Sequence, residues 1–350
     1  MRVLIRKKFL TLYTIVISIC FITAAFIPTP YYLYQPGPAE AISPKVTVEN
    51  GHKSEAGNFY LTTVLSIKAR NVYDILYGLL TPHTQIRAEQ DVQGTYTSEE
   101  YASLLNHMML MSQQNAIAAA LRQVGEPVTL TYEGVFVSNV VQTSKAKGII
   151  KPGDIITSVD THPIQNTSDF MNYIATNKKV GQEVQIGWKH EGIEQKKDIE
   201  LISIDASKDK PGLGILPEDQ FTAKTGRNVS FQTEDIGGPS AGFMFSLEIV
   251  NQLTNEDLTK GYKIAGTGTI DVDGNIGQIG GIRDKIIAAH DTGIDIFFCP
   301  KDQKPGDNNT KDILDEAAKQ KYSMKIIPVA TLKDAITYLQ KSPVSPSVKK

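Results

Sequence analysis

Two short segments hold residues able to do covalent chemistry. The first is Ile236-Gly-Gly-Pro-Ser-Ala-Gly242, followed at once by an amphipathic run over 243–253. Pro239 is barred from a helix interior but suits a first turn, which puts Ser240 at or near a helix N-terminus. Unpaired backbone N–H groups and the positive end of the helix dipole stabilise an oxyanion there. The small neighbours Gly238 and Ala241 let a substrate backbone come close. Alone, the segment reads as either a nucleophile or a plain N-cap serine.

The second segment is Gly280-Gly-Ile-Arg-Asp-Lys-Ile-Ile-Ala-Ala-His290. A helix is expected after the paired glycines, with Ile282, Ile286 and Ala289 forming its apolar row. Lys285 lies beside that row, while Arg283, Asp284 and Asp291 fall away from it. A lysine on the inner face of a helix either snorkels outward or is buried. Buried, its pKa falls and the neutral amine becomes a base able to take a proton from serine. His290 is the other conceivable base, but it sits toward the rim of the apolar face and reads as structural.

Around these segments, residues 210–340 alternate strand and helix. Strands are expected near 228–231, 262–272, 294–299 and 325–329, and helices over 240–253, 281–292, 310–320 and 332–339. Upstream, 59–67 reads as a strand. Thr97-Ser-Glu-Glu100 is a capping box opening a helix to Gly125. Its Met108, Met109 and Met111 have core spacing. Residues 128–204 form a unit of short strands and one helix near 168–175. The tail from Ser342 to Lys350 is Pro/Ser-rich and expected to lack structure.

The N-terminus has Arg2, Arg6, Lys7 and Lys8, then no formal charge over 9–27. Nineteen helical residues span roughly 28 Å, one hydrocarbon core. Pro28 and Pro30 end the run, and Tyr31, Tyr32 and Tyr34 read as an interfacial belt ahead of a Gln35-Pro-Gly-Pro38 linker. An uncleaved single-pass anchor with the bulk of the chain outside is expected in preference to a cleaved signal peptide. Cys20 and Cys299 fall in an apolar run and a buried strand, so no disulfide is expected between them.

The 350 residues suit about two domains, with 41% hydrophobic and 21% charged residues and a net charge of −2. That composition gives no electrostatic footprint for nucleic acid. The histidines at 52, 83, 107, 162, 190 and 290 lack zinc spacing, and there is no phosphate-binding loop, so neither metal, cofactor nor ATP is expected.

Gly238-Pro-Ser-Ala-Gly242, Ala265-Gly-Thr-Gly268, Asp273-Gly274, Ile279-Gly-Gly-Ile282, Asp284-Lys285 and Ala288-Ala-His290 occur in this order, with Pro300 closing the next strand. Together they resemble the proteolytic domain of the Lon protease family. The resemblance implies Ser240 as nucleophile, Lys285 as general base and Thr267 as the group that orients the amine, with an ordinary strand threonine as the alternative. Two departures stand out. Gly237 replaces the acidic residue usual in cytoplasmic members, and no ATPase module is present.

Tyr132-Glu-Gly-Val135 and Lys151-Pro-Gly-Asp-Ile-Ile-Thr-Ser-Val-Asp160 resemble a bacterial-type PDZ domain. This implies peptide capture at an open sheet edge, with Tyr132, Glu133 and Gly134 as the carboxylate loop and Val135 and Val137 on the receiving strand. The order anchor, PDZ, Lon-type domain is similar to a surface family of Lon-like PDZ, or pheromone-processing, serine proteases of Gram-positive bacteria.

The expected fold is α+β: a ribosomal-protein-like α/β proteolytic domain, a β-rich PDZ domain and one N-terminal transmembrane helix. Its division is a basic tail (1–8), an anchor (9–28), a linker with the first part of the protease domain (29–125), an inserted PDZ (126–206), the rest of the protease domain (207–340) and a tail (341–350). The expected function is ATP-independent endoproteolysis of extracytoplasmic peptides or proteins at the cell membrane, with homo-oligomerisation open. The alternatives are a non-catalytic PDZ scaffold and a Ser–Lys amidase acting on non-peptide amides.

Overall fold

A computed structural model describes residues 2–54, 56–205, 209–233 and 236–346, with side chains of the first helix described from residue 11. The chain begins with α1 (Arg2–Ala24), β1 (Tyr31–Ala41), β2 (Val46–Val48), β3 (Asn58–Ala69), α2 (Val72–Leu80), β4 (Gln85–Ala88), α3 (Glu89–Gln93) and α4 (Ser98–Val124). Next come β5 (Val128–Val140), β6 (Ile155–Val159), β7 (His162–Pro163), α5 (Thr167–Asn177), β8 (Glu183–His190), β9 (Ile193–Glu200), β10 (Ile202–Asp205), β11 (Lys210–Gly212) and β12 (Ile215–Thr225). The last part holds β13 (Val229–Phe231), α6 (Gly242–Leu253), β14 (Lys263–Gly266), β15 (Thr269–Ile270), β16 (Ile276–Gly277), α7 (Ile282–Asp291), β17 (Ile296–Pro300), α8 (Asn309–Gln320), β18 (Lys325–Val329) and α9 (Leu332–Lys341).

The period-2 pattern of β3 and β14 builds a sheet with two covered faces. Phe59, Leu61 and Ile264 point into one apolar core with Met109, the 116–121 stretch of α4 and the inner side of α6. Ala265, between them, points the other way, into a core with Ile282, Ile286 and Ala289 of α7 and Ile313 of α8. The six strands run in the order β18-β17-β14-β3-β1-β4. β14 is parallel to both β3 and β17, while β1 is antiparallel to β3 and β4. The N-terminal strands thus sit inside the sheet of the C-terminal region.

α4 starts at the expected capping box and ends at Gly125, whose φ of 78° is the left-handed cap position. Its buried alanines 116, 118, 119 and 120 let α6 approach closely. A Cβ at Gly242 would lie 2.5 Å from Ser112 Oγ. Met109 is buried in this core, and its edge also lines the cleft beside Ser240.

Between α4 and β13 lies a second sheet, β12-β5-β6-β8-β9, around its own core of Val135, Val137, Ile156, Phe170, Ile174, Ile186 and Trp188. β12 pairs with β5 along its whole length, from Ile215 opposite Val140 to Thr225 opposite Val128. The expected boundary at 206 therefore falls inside this unit, which closes at Thr225. Val128, Leu130 and Ala223 at the near ends of the two strands pack into the core of the large sheet. Chain entry and exit lie side by side there.

Three further expectations change. Tyr132, Glu133 and Gly134 are not a loop: they lie within β5, with Tyr132 opposite Phe221 and Gly134 opposite Gln220. Val135 has β12 on one side and β6 on the other, so the proposed receiving strand has no free edge. The supposed linker and belt at 31–38 is β1, where Tyr32 and Leu33 are buried and the prolines sit at a bulge between Pro36 and Ala39. The tail is held as far as it is described: Ser345 is buried and its N–H donates to Lys260 O at 2.9 Å, while 347–350 lie outside the described residues. Among the described residues no helix is long and apolar enough to cross a membrane.

Gly134 has φ 129°, and a Cβ there would meet Ile156 O at 2.4 Å. The backbone oxygen cannot rotate away. Gly134→Ala is expected to destabilise the β5 unit by about 2–3 kcal/mol, read as a lowered urea midpoint.

Candidate active site

The segment before α6 makes a tight turn at Gly238, whose φ of 83° is open to glycine and strained for other residues. Four contacts fix this turn. Ser112 Oγ of α4 donates to Pro239 O at 3.0 Å, and Gly238 N donates to Leu105 O at 3.1 Å. Gly268 N and Thr267 Oγ1 donate to Ser240 O at 2.9 and 3.0 Å. The helix cap position belongs to Ala241, which makes no side-chain cap bond. Ser240 is thus displaced from the N-cap, and its hydroxyl is directed elsewhere.

It meets Lys285. The lysine Nζ lies 2.8 Å from Ser240 Oγ and donates to Thr267 Oγ1 at 2.9 Å. Lys285 is 4% exposed and Thr267 1% exposed. Burial lowers the lysine pKa from 10.5 to about 7. Thr267 accepts from the amine and donates to the carbonyl of Ser240, so a single hydroxyl ties the lysine to the serine backbone. α7 starts at Gly281, with φ 70°, where a Cβ would meet Val64 Cγ2 at 2.9 Å. That close approach seats the first turn of α7 on β3.

The pair opens into a cleft of about 630 Å³ lined by residues 61–65 of β3, 236–241, Arg87, Tyr101, Leu105 and Glu40. Gly237 lies on its wall, and a Cβ there would come 3.2 Å from Leu105 Cβ. An acidic side chain at this position would crowd α4. Arg87 stacks over the Tyr34 ring at 4.4 Å. Arg87 was marked by no sequence motif, and Tyr34 read as part of an interfacial belt.

Asp284 corrects the reading of the α7 face: it is buried, and its pKa is raised by burial. The 83–87 segment covers it, and Gln85 Nε2 approaches Asp284 Oδ2 at 3.5 Å. His290 is exposed and stacks on Tyr322 with ring centroids 4.0 Å apart, away from Ser240. Cys299 is a free, buried thiol whose pKa is pushed up to about 12 by burial, and Cys20 is free and exposed. Among the described residues no group of His, Cys, Asp or Glu is arranged to hold a metal.

Tyr132, Gly134 and Val135 are brought nowhere near this cleft and offer no open edge of their own. The free edge beside β5 is β12. Between it and α5 is a cavity of about 120 Å³ lined by Phe170, Met171, Ile174, Leu213, Ile215 and Lys210. The run Lys210-Pro-Gly-Leu-Gly-Ile215 leads into it. That glycine-rich run ahead of an apolar strand is a signal the sequence carries alongside the Gly134 segment.

Residues 234–341 match the family model of the Lon protease (S16) C-terminal proteolytic domain. Residues 116–201 match that of the PDZ domain. The chain is 36% identical over 100 residues to a Lon protease of Aster yellows witches'-broom phytoplasma, and 38% identical over 99 residues to one of Campylobacter concisus. These stretches cover 29% and 28% of this chain but only 12% and 11% of those proteins. Among solved structures, the PDZ domain of an SdrC-like protein from Listeria monocytogenes is 38% identical, covering 25% of this chain and 90% of that one, with a TM-score of 0.24. The chain therefore combines a Lon-type proteolytic segment with a PDZ segment, and the Ser240–Lys285 pair lies within the first.

The lowered lysine pKa fixes a stability prediction. Folded Lys285 sheds its proton near pH 7, whereas the unfolded residue holds it to about 10.5. Between these values the unfolded chain binds more protons, so stability from this group rises with pH. Lys285→Met abolishes that rise and is expected to raise Tm at pH 7 by roughly 2–6 °C. Calorimetry of both proteins from pH 6.5 to 9 measures both effects.

Proposed function

We propose that the chain is an ATP-independent serine endopeptidase working through a Ser240–Lys285 dyad on extracytoplasmic peptides or proteins. The observation that carries this reading is the buried Lys285 amine 2.8 Å from Ser240 Oγ. With its pKa near 7 the amine is substantially neutral at physiological pH and accepts the serine proton as Oγ attacks the scissile carbonyl. The ammonium so formed then protonates the leaving amine. Water, deprotonated by the same lysine, attacks the acyl-enzyme and regenerates the hydroxyl. Thr267 keeps the amine directed at Oγ, and the turn at Gly238 leaves backbone room for the substrate carbonyl.

The PDZ segment supplies substrate capture. A peptide terminus adds to the free edge of β12, with its apolar side chain in the cavity against Met171 and Ile174 and its carboxylate at Lys210 and the Gly212–Gly214 backbone. Pro217 limits pairing to the start of the strand because it has no N–H to offer.

The protein is held at the outer face of the membrane by its N-terminus. Support comes from the uncharged stretch over 9–27 behind four basic residues, and from Leu12, Ile15, Val16, Ile19 and Ile22, which are exposed around α1. Full-chain protein recovered in alkaline-washed membranes, with its bulk open to an external protease in intact cells, is the expected result. A soluble or internally protected chain contradicts it.

Ser240→Ala and Lys285→Ala are each expected to lower kcat for a peptide substrate on the order of 10⁴-fold. Undiminished turnover by either variant eliminates the dyad, and a wild type that turns over no peptide favours the scaffold or amidase. The parent's kcat/KM should climb with pH through about 7 as Lys285 loses its proton. Thr267→Val is expected to cost roughly 10–100-fold and to move that pH midpoint, with Thr267→Ser restoring both. Met171→Glu should raise KM for a natural protein substrate about tenfold, and leave short peptides that lack the docking terminus unaffected.

A further inference from the structure

α2 has an apolar face with nothing on it. Val72, Leu76, Leu79 and Leu80 recur at i, i+4, i+7 and i+8, the spacing of a single helical stripe, and they are 41%, 50%, 70% and 76% exposed. The opposite side is packed: a Cβ at Gly78 would lie 2.7 Å from Leu33 Cδ2 of β1. The patch extends onto the sheet. Leu33 faces Ile67 and Gln35 faces Leu65 in the β1–β3 ladder, which places Ile67 and Leu65 on the side of the sheet that α2 covers. They are 44% and 41% exposed, as is Tyr31 at 41%.

The neighbourhood indicates what covers this surface. Tyr73 of α2 donates from its hydroxyl to Phe21 O of α1, and the two rings lie 4.9 Å apart. α1 is itself exposed with apolar side chains on all sides, a pattern that needs an apolar medium around it rather than one partner face. The only charged residue of α2, Asp74, is held at its N-terminus by the N–H of Arg70 at 2.7 Å, leaving the stripe uncharged. The Arg70 side chain, 86% exposed, stands beside it with its Nε 3.9 Å from the Asp74 carboxylate. One uncharged apolar stripe with a charged pair confined to its N-terminal edge suits a helix lying in a bilayer interface.

We infer that α2, with Tyr31, Leu65 and Ile67, rests in the lipid interface beside α1. This rests on the membrane reading proposed above and adds a second, non-spanning contact. Leu65 also lines the active-site cleft, so the contact turns the cleft mouth toward the bilayer surface and favours substrates tethered there.

The test uses full-chain protein in phosphatidylcholine–phosphatidylglycerol vesicles with brominated or ordinary acyl chains. The single native tryptophan, Trp188, is buried in the PDZ core and gives a constant background. Leu76→Trp and Leu80→Trp are made separately, with Ile15→Trp in α1 as reference. Retained peptide cleavage establishes that each variant is folded. Loss of more than half of the added emission in brominated vesicles, at both α2 positions, is the expected result. Quenching at position 15 with none at 76 or 80 overturns the inference while leaving the anchor intact. No quenching at any position removes the membrane reading itself. Emission at 76 and 80 untouched by bromine, together with a dimer that Leu80→Glu converts to monomer, assigns the face to a second copy and overturns the lipid contact.

Discussion

An amine taken out of water opposes its own charge, and in this chain that opposition sits beside a hydroxyl needing a proton acceptor. Lys285 is buried by α7 packing on the sheet, not by a specialised pocket: the residues on either side of its stripe, Ile282, Ile286 and Ala289, are the ones that seat the helix. Because no carboxylate among the described residues pairs with the amine, burial lowers its pKa without compensation. A buried ion pair at this spot would hold the proton and leave the serine inert. Asp284, next in sequence and also buried, points to the Gln85 side of the helix instead.

The serine side of the pair depends on α4. That helix donates Ser112 to Pro239 and accepts Gly238 at Leu105, while its alanines hold α6 close behind the turn. Two residues after Leu105, His107 stacks on Phe136 of β5 with ring centroids 3.5 Å apart. The imidazole is buried, its pKa lowered to about 4 by that burial, and so it is a neutral packing group at physiological pH. One helix therefore touches both the turn at Ser240 and the PDZ sheet, and the two units share a wall rather than a linker.

Much of this was legible from residue order. The glycines around Ser240 and the apolar row around Lys285 specify two helix starts, and the helix starts bring the side chains together. The capping box and Gly125 fixed α4 to its ends because caps are local chemistry. What failed was non-local. Pro36 and Pro38 made β1 read as linker, since a sequence cannot show that a bulge absorbs two prolines within a paired strand. The strand expected to receive a peptide at Val135 is paired on both sides, and Gly134 is needed to clear Ile156 O, a demand visible only once β6 is in place, while β12 lay beyond the expected boundary. Asp284 looked exposed by helical phase and is covered by a segment 199 residues away in sequence.

The sheet interleaves strands from both ends of the chain: β3 lies between β14 and β1, with Phe59 opposite Ile264. Closing that pairing requires bringing together segments separated by the entire PDZ unit, the slow kind of contact in folding. The PDZ sheet needs only residues 128–225 and can form first, its β5–β12 ladder shortening the loop to be closed. The dyad itself comes from the final third of the polypeptide, and its supporting helix from the first. Under the proposed mechanism, a chain emerging or cut between α6 and α7 carries Ser240 without Lys285, so hydrolytic competence would wait until α7 has joined the sheet.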